Sequence, residues 1–265
     1  PTNRCGSAAL QRRERRTATG ESSESAKLTV LLRPGGGTIE DIKKAGEAGI
    51  RAVRVANHVT EADESIEHIR YAKSRGLFTV GFLRMSHMGS PETIVAQGKI
   101  FEAEGVDYIN LADSAGYMTP EDVKARVSAL KEAVNLPVGY HANNNLGLAM
   151  GNSLAALEAG AEYLDATCCG LGAGAGNTQI EVLCATLQRM GYDMDVDIYG
   201  LMDVAQNAVE PIVKRPQVIR TDSLMLGYAG VYSSFLLHAR RAAEKFGIDV
   251  KDILIELGRR KMVGG

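Results

Sequence analysis

Six short β-rich runs recur along this chain at an almost constant interval. They are Leu28–Leu32, Ala52–Ala56, Phe78–Leu83, Tyr108–Ala112, Val138–His141 and Tyr163–Thr167. Their last residues, Leu32, Ala56, Leu83, Ala112, Tyr140 (one short of the fifth run's end) and Thr167, stand 24, 27, 29, 28 and 27 residues apart. Between them lie helical patterns at Ile39–Ala48, Ala62–Ser74, Pro91–Glu104, Pro120–Ala133, Leu146–Ala159 and Thr178–Met190. Strands that alternate with helices at a steady spacing must be joined by crossovers, and crossovers make a parallel sheet. Glycine stands between a helix and the next strand at Gly49, Gly76, Gly105 and Gly160, and after the last helix at Gly191, where a left-handed residue ends a helix. The composition agrees with a globular α/β protein: 45% hydrophobic and 23% charged residues.

Two architectures fit this alternation, an open doubly wound sheet and a (βα)8 barrel. The regular interval favours the barrel, although six units are two short of it. Both architectures place their sites at the C-terminal edge of the strands. Polar residues stand at that edge after nearly every run: Arg33, Asn57 and His58, Arg84 and His87, Asp113 and Ser114, His141 and Asn143, then Cys168. His58 and His87 are candidates to line a pocket there.

Composition also excludes several classes. No run of about 18 uncharged apolar residues exists, so the sequence shows no membrane-spanning helix. A net charge of −2 and no tryptophan argue against a nucleic-acid partner. Four cysteines, Cys5, Cys168, Cys169 and Cys184, are too few for a disulfide scaffold and are expected reduced, as in the cytoplasm. The adjacent Cys168 and Cys169 are expected on opposite faces of a strand. Residues 1–26 differ from the rest: Arg4, Arg12, Arg13, Arg15 and Arg16 stand in a segment with almost no apolar period, read as a disordered or non-native tail.

The most informative segment is Val138-Gly-Tyr-His-Ala-Asn-Asn-Asn-Leu-Gly-Leu-Ala. On a strand, His141 and Asn143 point to the same side, and both imidazole nitrogen and amide oxygen can bind a metal. Asn144 or Asn145 could instead cap a helix that starts near Leu146. Gly172-Ala-Gly-Ala-Gly176-Asn177 is not a dinucleotide fingerprint; a close backbone approach to the active face accounts for it better. Beyond residue 195, Val196–Val209, Ser233–Phe246 and Val250–Leu257 read as amphipathic helices.

His141-Ala-Asn-Asn-Asn-Leu-Gly-Leu148 resembles the metal-binding strand of the 4-hydroxy-2-oxovalerate aldolases, relatives of 3-hydroxy-3-methylglutaryl-CoA lyase and the isopropylmalate synthases. Arg54-Val-Ala-Asn-His-Val-Thr-Glu-Ala-Asp63, Thr79-Val-Gly-Phe-Leu83, Ala112-Asp-Ser-Ala-Gly116, Gly170–Asn177, Leu226–Phe235 and Glu256–Gly265 resemble the same family. The resemblance runs from about Lys27 to Gly265. It implies a (βα)8 TIM barrel, of which residues 27–195 form a partial domain, followed by a helical C-terminal domain over residues 196–265. It also implies a cytoplasmic class II lyase of aromatic-compound catabolism, which cleaves 4-hydroxy-2-oxopentanoate to pyruvate and acetaldehyde with a divalent metal, Mn²⁺. Its partner would be an acylating acetaldehyde dehydrogenase.

By the same resemblance, His141 is a metal ligand and lies at the substrate. Asn143 occupies the second metal histidine's position, Ser114 binds the 2-oxo acid, and Tyr232 lies over the substrate and helps place the aldehyde half. The family's opening Arg-Asp-Gly strand, with its metal-binding Asp, enolate-stabilising Arg and nearby His base, has no counterpart here. Arg33-Pro34-Gly35 matches instead the Leu-Pro-Gly turn after the third strand. The expectation is therefore a barrel whose first two βα units are missing, with weak metal binding and either reduced activity or a role as an inactive, partner-binding subunit.

Overall fold

The computed structural model describes residues 4–5 and 26–263. All six runs read from the sequence form strands, and a two-residue strand precedes them. In chain order they are β1 (Arg4–Cys5), β2 (Thr29–Leu32), β3 (Ala52–His58), β4 (Phe78–Arg84), β5 (Tyr108–Asp113), β6 (Val138–Ala142) and β7 (Tyr163–Asp165). Every neighbouring pair is parallel, in the order β1-β7-β6-β5-β4-β3-β2. The described residues thus hold seven strands rather than the eight of a complete barrel, with β1 and β2 at the two edges. The reading of residues 1–26 as an irregular tail lies outside the described residues, except at Ala26 and at Arg4–Cys5, which pair with Tyr163 and Leu164.

The sheet is strongly curved. Four strand spacings of about 4.8 Å would separate β3 from β7 by roughly 19 Å in a flat sheet. Yet the Arg54 side chain of β3 reaches Asp165 of β7 at 2.5 Å. The register makes this face the concave one. Arg54 lies beside Val80, Ala56 beside Phe82, Val80 beside Tyr108, Ala112 beside His141, and His141 beside Asp165. The opposite face packs Val53, Val55, Leu83, Ile109, Leu111, Val138, Tyr140 and Leu164 against the helices in the main core.

The covering helices are α1 (Ile39–Glu47), α2 (Ile66–Ser74), α3 (Pro91–Ala103), α4 (Pro120–Ala133), α5 (Ala149–Glu158) and α6 (Ile180–Arg189). Thr119 accepts the Asp122 amide at 3.3 Å, and Asp122 accepts the Thr119 amide at 3.0 Å, a capping box that starts α4 at Pro120. Helix α5 begins at Ala149, three residues later than expected, because Asn144 Oδ1 accepts the Ala149 amide at 3.2 Å. The Asn145 side chain is used elsewhere: it donates to the Ala115 carbonyl and accepts the Ala175 amide, both at 2.9 Å. Cys168 and Cys169 do not face opposite sides of a strand. They form a short 3₁₀ turn with Gly170, in which Cys168 is wholly buried and Cys169 is left-handed.

Past the sheet come α7 (Ile198–Val204), continued by a π turn over Ala205–Val209, then α8 (Thr221–Ala229), α9 (Phe235–Phe246) and α10 (Val250–Arg259). The last three close a second, small core on Leu226, Val231, Ala239 and Leu254. Among the described residues, no helix is long and apolar enough to cross a membrane.

Candidate active site

The concave face carries a layer of charge that the strand pattern does not advertise. Arg54 donates to both Asp165 carboxylate oxygens and to the Tyr108 hydroxyl, the last at 2.9 Å. Tyr163 stacks on Tyr108 with ring centres 4.1 Å apart, and Phe82 lies 5.4 Å from the Arg54 guanidinium. Burial alone would push the Asp165 carboxyl up; the Arg54 guanidinium and the His141 ring overcome it and hold Asp165 well below the usual carboxylate range. Burial pushes the Tyr108 hydroxyl up to about 12.

Asp165 therefore meets His141 as an anion. The His141 Nδ1–H donates to Asp165 Oδ2 at 3.1 Å, which fixes the ring and turns Nε2 away from the carboxylate. His141 is the fourth residue of β6, and Phe82 packs edge-on against its ring at 6.0 Å. Asn143 follows just past the strand. It is buried, forms an antiparallel bridge with Asn177, and its amide donates to the Asp113 carbonyl at 3.3 Å. Gly174 lets the glycine loop come this close, since a Cβ there would meet the Asn145 side chain, and the Gly176 carbonyl accepts the Asn144 amide at 2.7 Å. The expected close approach of this loop is what the structure contains.

Ser114 ends β5's rim. Its side chain is buried, and its hydroxyl accepts the Met85 amide at 3.1 Å. Ser114, His141 and Asn143 thus stand on adjacent strands at one edge. Tyr232 stands apart from them, over β4, where its half-buried ring faces the Arg84 guanidinium at 5.8 Å. His87 holds that turn: its Nε2–H donates to the Gly230 carbonyl at 3.0 Å, and Tyr117 packs on its ring. Of the other rim residues read from sequence, His58 does line a cavity; His87 is committed to Gly230, and Cys168 is buried in the core rather than at the rim.

The donor set does not fit a tightly held divalent ion. Among the described residues, no group of three His, Cys, Asp or Glu side chains converges. The nearest carboxylate, Asp165, is spent on Arg54 and on the back of the His141 ring. What remains is one imidazole and the neutral Asn143 amide, a weak pair for a dication.

Sequence reading missed Arg54, Asp165 and Tyr108. The signal was present: Arg54 and Asp165 interrupt apolar strands at inward positions, and a buried charge needs a counter-charge. Their partnership spans 111 residues, so no local pattern connects them.

Comparison with known proteins adds the family context. A family model described as HMGL-like matches residues 6–208, and one described as a DmpG-like communication domain matches residues 217–265. The chain is 60% identical to the 4-hydroxy-2-oxovalerate aldolase of Moorella thermoacetica, over 98% of this chain and 77% of that one. It is 56% identical to the protein of that name from Carboxydothermus hydrogenoformans, over the same shares. The fold is similar to the carboxyl transferase domain of Rhizobium etli pyruvate carboxylase, solved with 3-hydroxypyruvate. The TM-score is 0.75 at 16% identity, covering 96% of this chain and 48% of that one.

Proposed function

Because the chain belongs to the 4-hydroxy-2-oxovalerate aldolase family of carbon–carbon lyases, we propose that it serves the cleavage of 4-hydroxy-2-oxopentanoate to pyruvate and acetaldehyde, in the cytoplasmic breakdown of aromatic compounds. The observation that carries this reading is the gathering of Ser114, His141 and Asn143 at one strand edge, in a chain 60% identical to such an aldolase. Cleavage breaks the C3–C4 bond and leaves the enolate of pyruvate, while a base takes the C4 hydroxyl proton. Ser114 would bind the 2-oxo acid, and Tyr232 would cover the aldehyde half. His141, oriented by Asp165, would present Nε2 to the substrate side.

The HMGL-like family generally depends on a divalent metal, and Mn²⁺ is the ion we propose for the complete site. His141 and Asn143 alone would hold it weakly. That mismatch favours a second reading, in which residues 27–195 form a partial barrel without the full catalytic set and the chain acts through its partner. The communication-domain match implies association with an acetaldehyde dehydrogenase. We assign residues 196–265 to that contact, where Tyr228, Phe246, Ile248 and Ile255 are exposed apolar side chains.

Pyruvate release from 4-hydroxy-2-oxopentanoate with added Mn²⁺ separates the two readings. It should be measured for this chain and for the chain extended by an Arg-Asp-Gly strand. Release by both supports the first; release by the extended chain alone supports the second for this chain. No release by either removes the aldolase assignment.

A further inference from the structure

Beside the Ser114–His141 edge, at the C-terminal ends of β2, β3 and β4, lies a cavity of about 180 Å³ lined by Arg33, His58, Glu61, Glu64, Arg84 and Val263 among others. One water needs only about 10–15 Å³ of such space, so a small organic molecule fits. Its two arginines are unusual. Both Nε atoms are buried and lack a hydrogen-bond partner, and neither guanidinium forms an ion pair among the described residues. The Tyr232 ring faces the Arg84 guanidinium at 5.8 Å.

His58 adds a third donor. It is 5% exposed, its Nδ1 lies 2.8 Å from the Thr60 hydroxyl, and its Nε2 is buried without a partner. When Thr60 donates to Nδ1, Nε2 carries the proton and becomes a donor to whatever fills the space. Two carboxylates, Glu61 and Glu64, also line the cavity, but both residues are exposed. Buried unpaired donors beside acids that are exposed select a small anion with planar oxygens, which two guanidiniums can grip in pairs of hydrogen bonds.

We propose that this cavity binds a carboxylate group through Arg33 and Arg84, with His58 Nε2–H as the third donor. The proposal rests on the aldolase reading only for the two halves that could bring the carboxylate: the 2-oxo acid itself, or an aldehyde that bears its own acid group. Through Tyr232, Arg84 is tied to the side assigned to the aldehyde half.

The test is binding, not turnover, so it stands even for a chain that releases no pyruvate. Full-length protein labelled with ¹⁵N-arginine is titrated with pyruvate, with glyoxylate as an aldehyde bearing a carboxylate, and with acetaldehyde as the neutral control. The expected result is a saturable shift of the Arg33 and Arg84 Nε–H signals with a carboxylate and none with acetaldehyde. Arg33→Leu and Arg84→Met should each weaken that binding at least tenfold by calorimetry. Weakening for pyruvate assigns the site to the oxo-acid half; weakening for glyoxylate alone assigns it to the aldehyde half. Unmoved Nε–H signals in the unmodified chain overturn the proposal whether or not the variants fold, as does carboxylate binding indifferent to both substitutions.

Discussion

Arg54 and Asp165 form a buried ion pair across the hollow of the sheet, joining β3 to β7 past the three strands between them. The pair does two things at once. It cross-braces the curved sheet, and it supplies the anion that orients His141 from behind.

Removing one member should therefore cost more than removing both. Arg54→Met leaves the Asp165 carboxylate buried without its guanidinium, a loss of about 3–5 kcal/mol. Arg54→Met with Asp165→Leu replaces the pair by apolar groups and should recover part of that loss. Urea midpoints of the two variants check the order. Asp165 is held low, so its stabilisation is complete above the ordinary aspartate range and disappears only as pH falls through the lowered value. The pair should survive at pH 4.

His58 has the opposite sign. Burial pushes its pKa below 6.5, Glu61 resists the shift and Arg84 adds to it. The unfolded chain then binds the proton more readily than the folded one, and stability falls as pH drops below about 6.5. One such group contributes at most about 1.4 kcal/mol per pH unit. Between pH 7.5 and 5.5, the urea midpoint of the unmodified protein should fall further than that of His58→Gln. Equal slopes would place the titration on another residue.

Strands β3–β7 were legible because both their faces are largely covered, so they read as apolar runs, and helix α4 was legible from Thr119-Pro120 with Asp122. Helix α8 was not, because Leu224, Met225, Leu226 and Tyr228 crowd its centre without a single apolar stripe, and both Leu224 and Tyr228 are exposed. At the site, Ser114, His141 and Asn143 follow from strand ends and alternation. The clamp of His87 on Gly230, which positions Tyr232, joins residues 143 apart and has no local signature. The anionic partner behind His141 was equally invisible, since Asp165 sits on a different strand.

Gly176 is a backbone requirement rather than a ligand contact. Its φ is +93°, and an added Cβ would collide with the Gly170 carbonyl oxygen. Gly176→Ala should destabilise the fold by about 1–3 kcal/mol. It should also loosen the Asn143–Asn177 bridge, seen as faster hydrogen exchange at the Asn144 amide, which donates to the Gly176 carbonyl.

Asn143→His tests the metal assignment. Residue 143 follows His141 by two, just past the end of β6; if the strand alternation continues there, the exchange places a second imidazole beside the first and replaces a weak oxygen donor. Mn²⁺ affinity, followed by electron paramagnetic resonance of the free ion, should rise at least tenfold. Unchanged affinity would mean that position 143 does not face the His141 Nε2.

Ser114 and Tyr232 should separate the two halves of the substrate. Ser114→Ala removes the hydroxyl that accepts the Met85 amide, leaving a buried N–H unpaired at a cost of about 1–3 kcal/mol. Its functional effect should fall on the 2-oxo acid, as weaker binding of pyruvate. Tyr232→Phe keeps the ring over Arg84 and deletes only the hydroxyl, so the turn held by His87 should stay in place. Any change should then appear in use of the aldehyde half, measured in the condensation direction with pyruvate held saturating. The comparison is made in whichever form of the chain releases pyruvate. If Tyr232→Phe weakens pyruvate binding as strongly as Ser114→Ala does, the two residues serve the same half, and Tyr232 does not mark the aldehyde side.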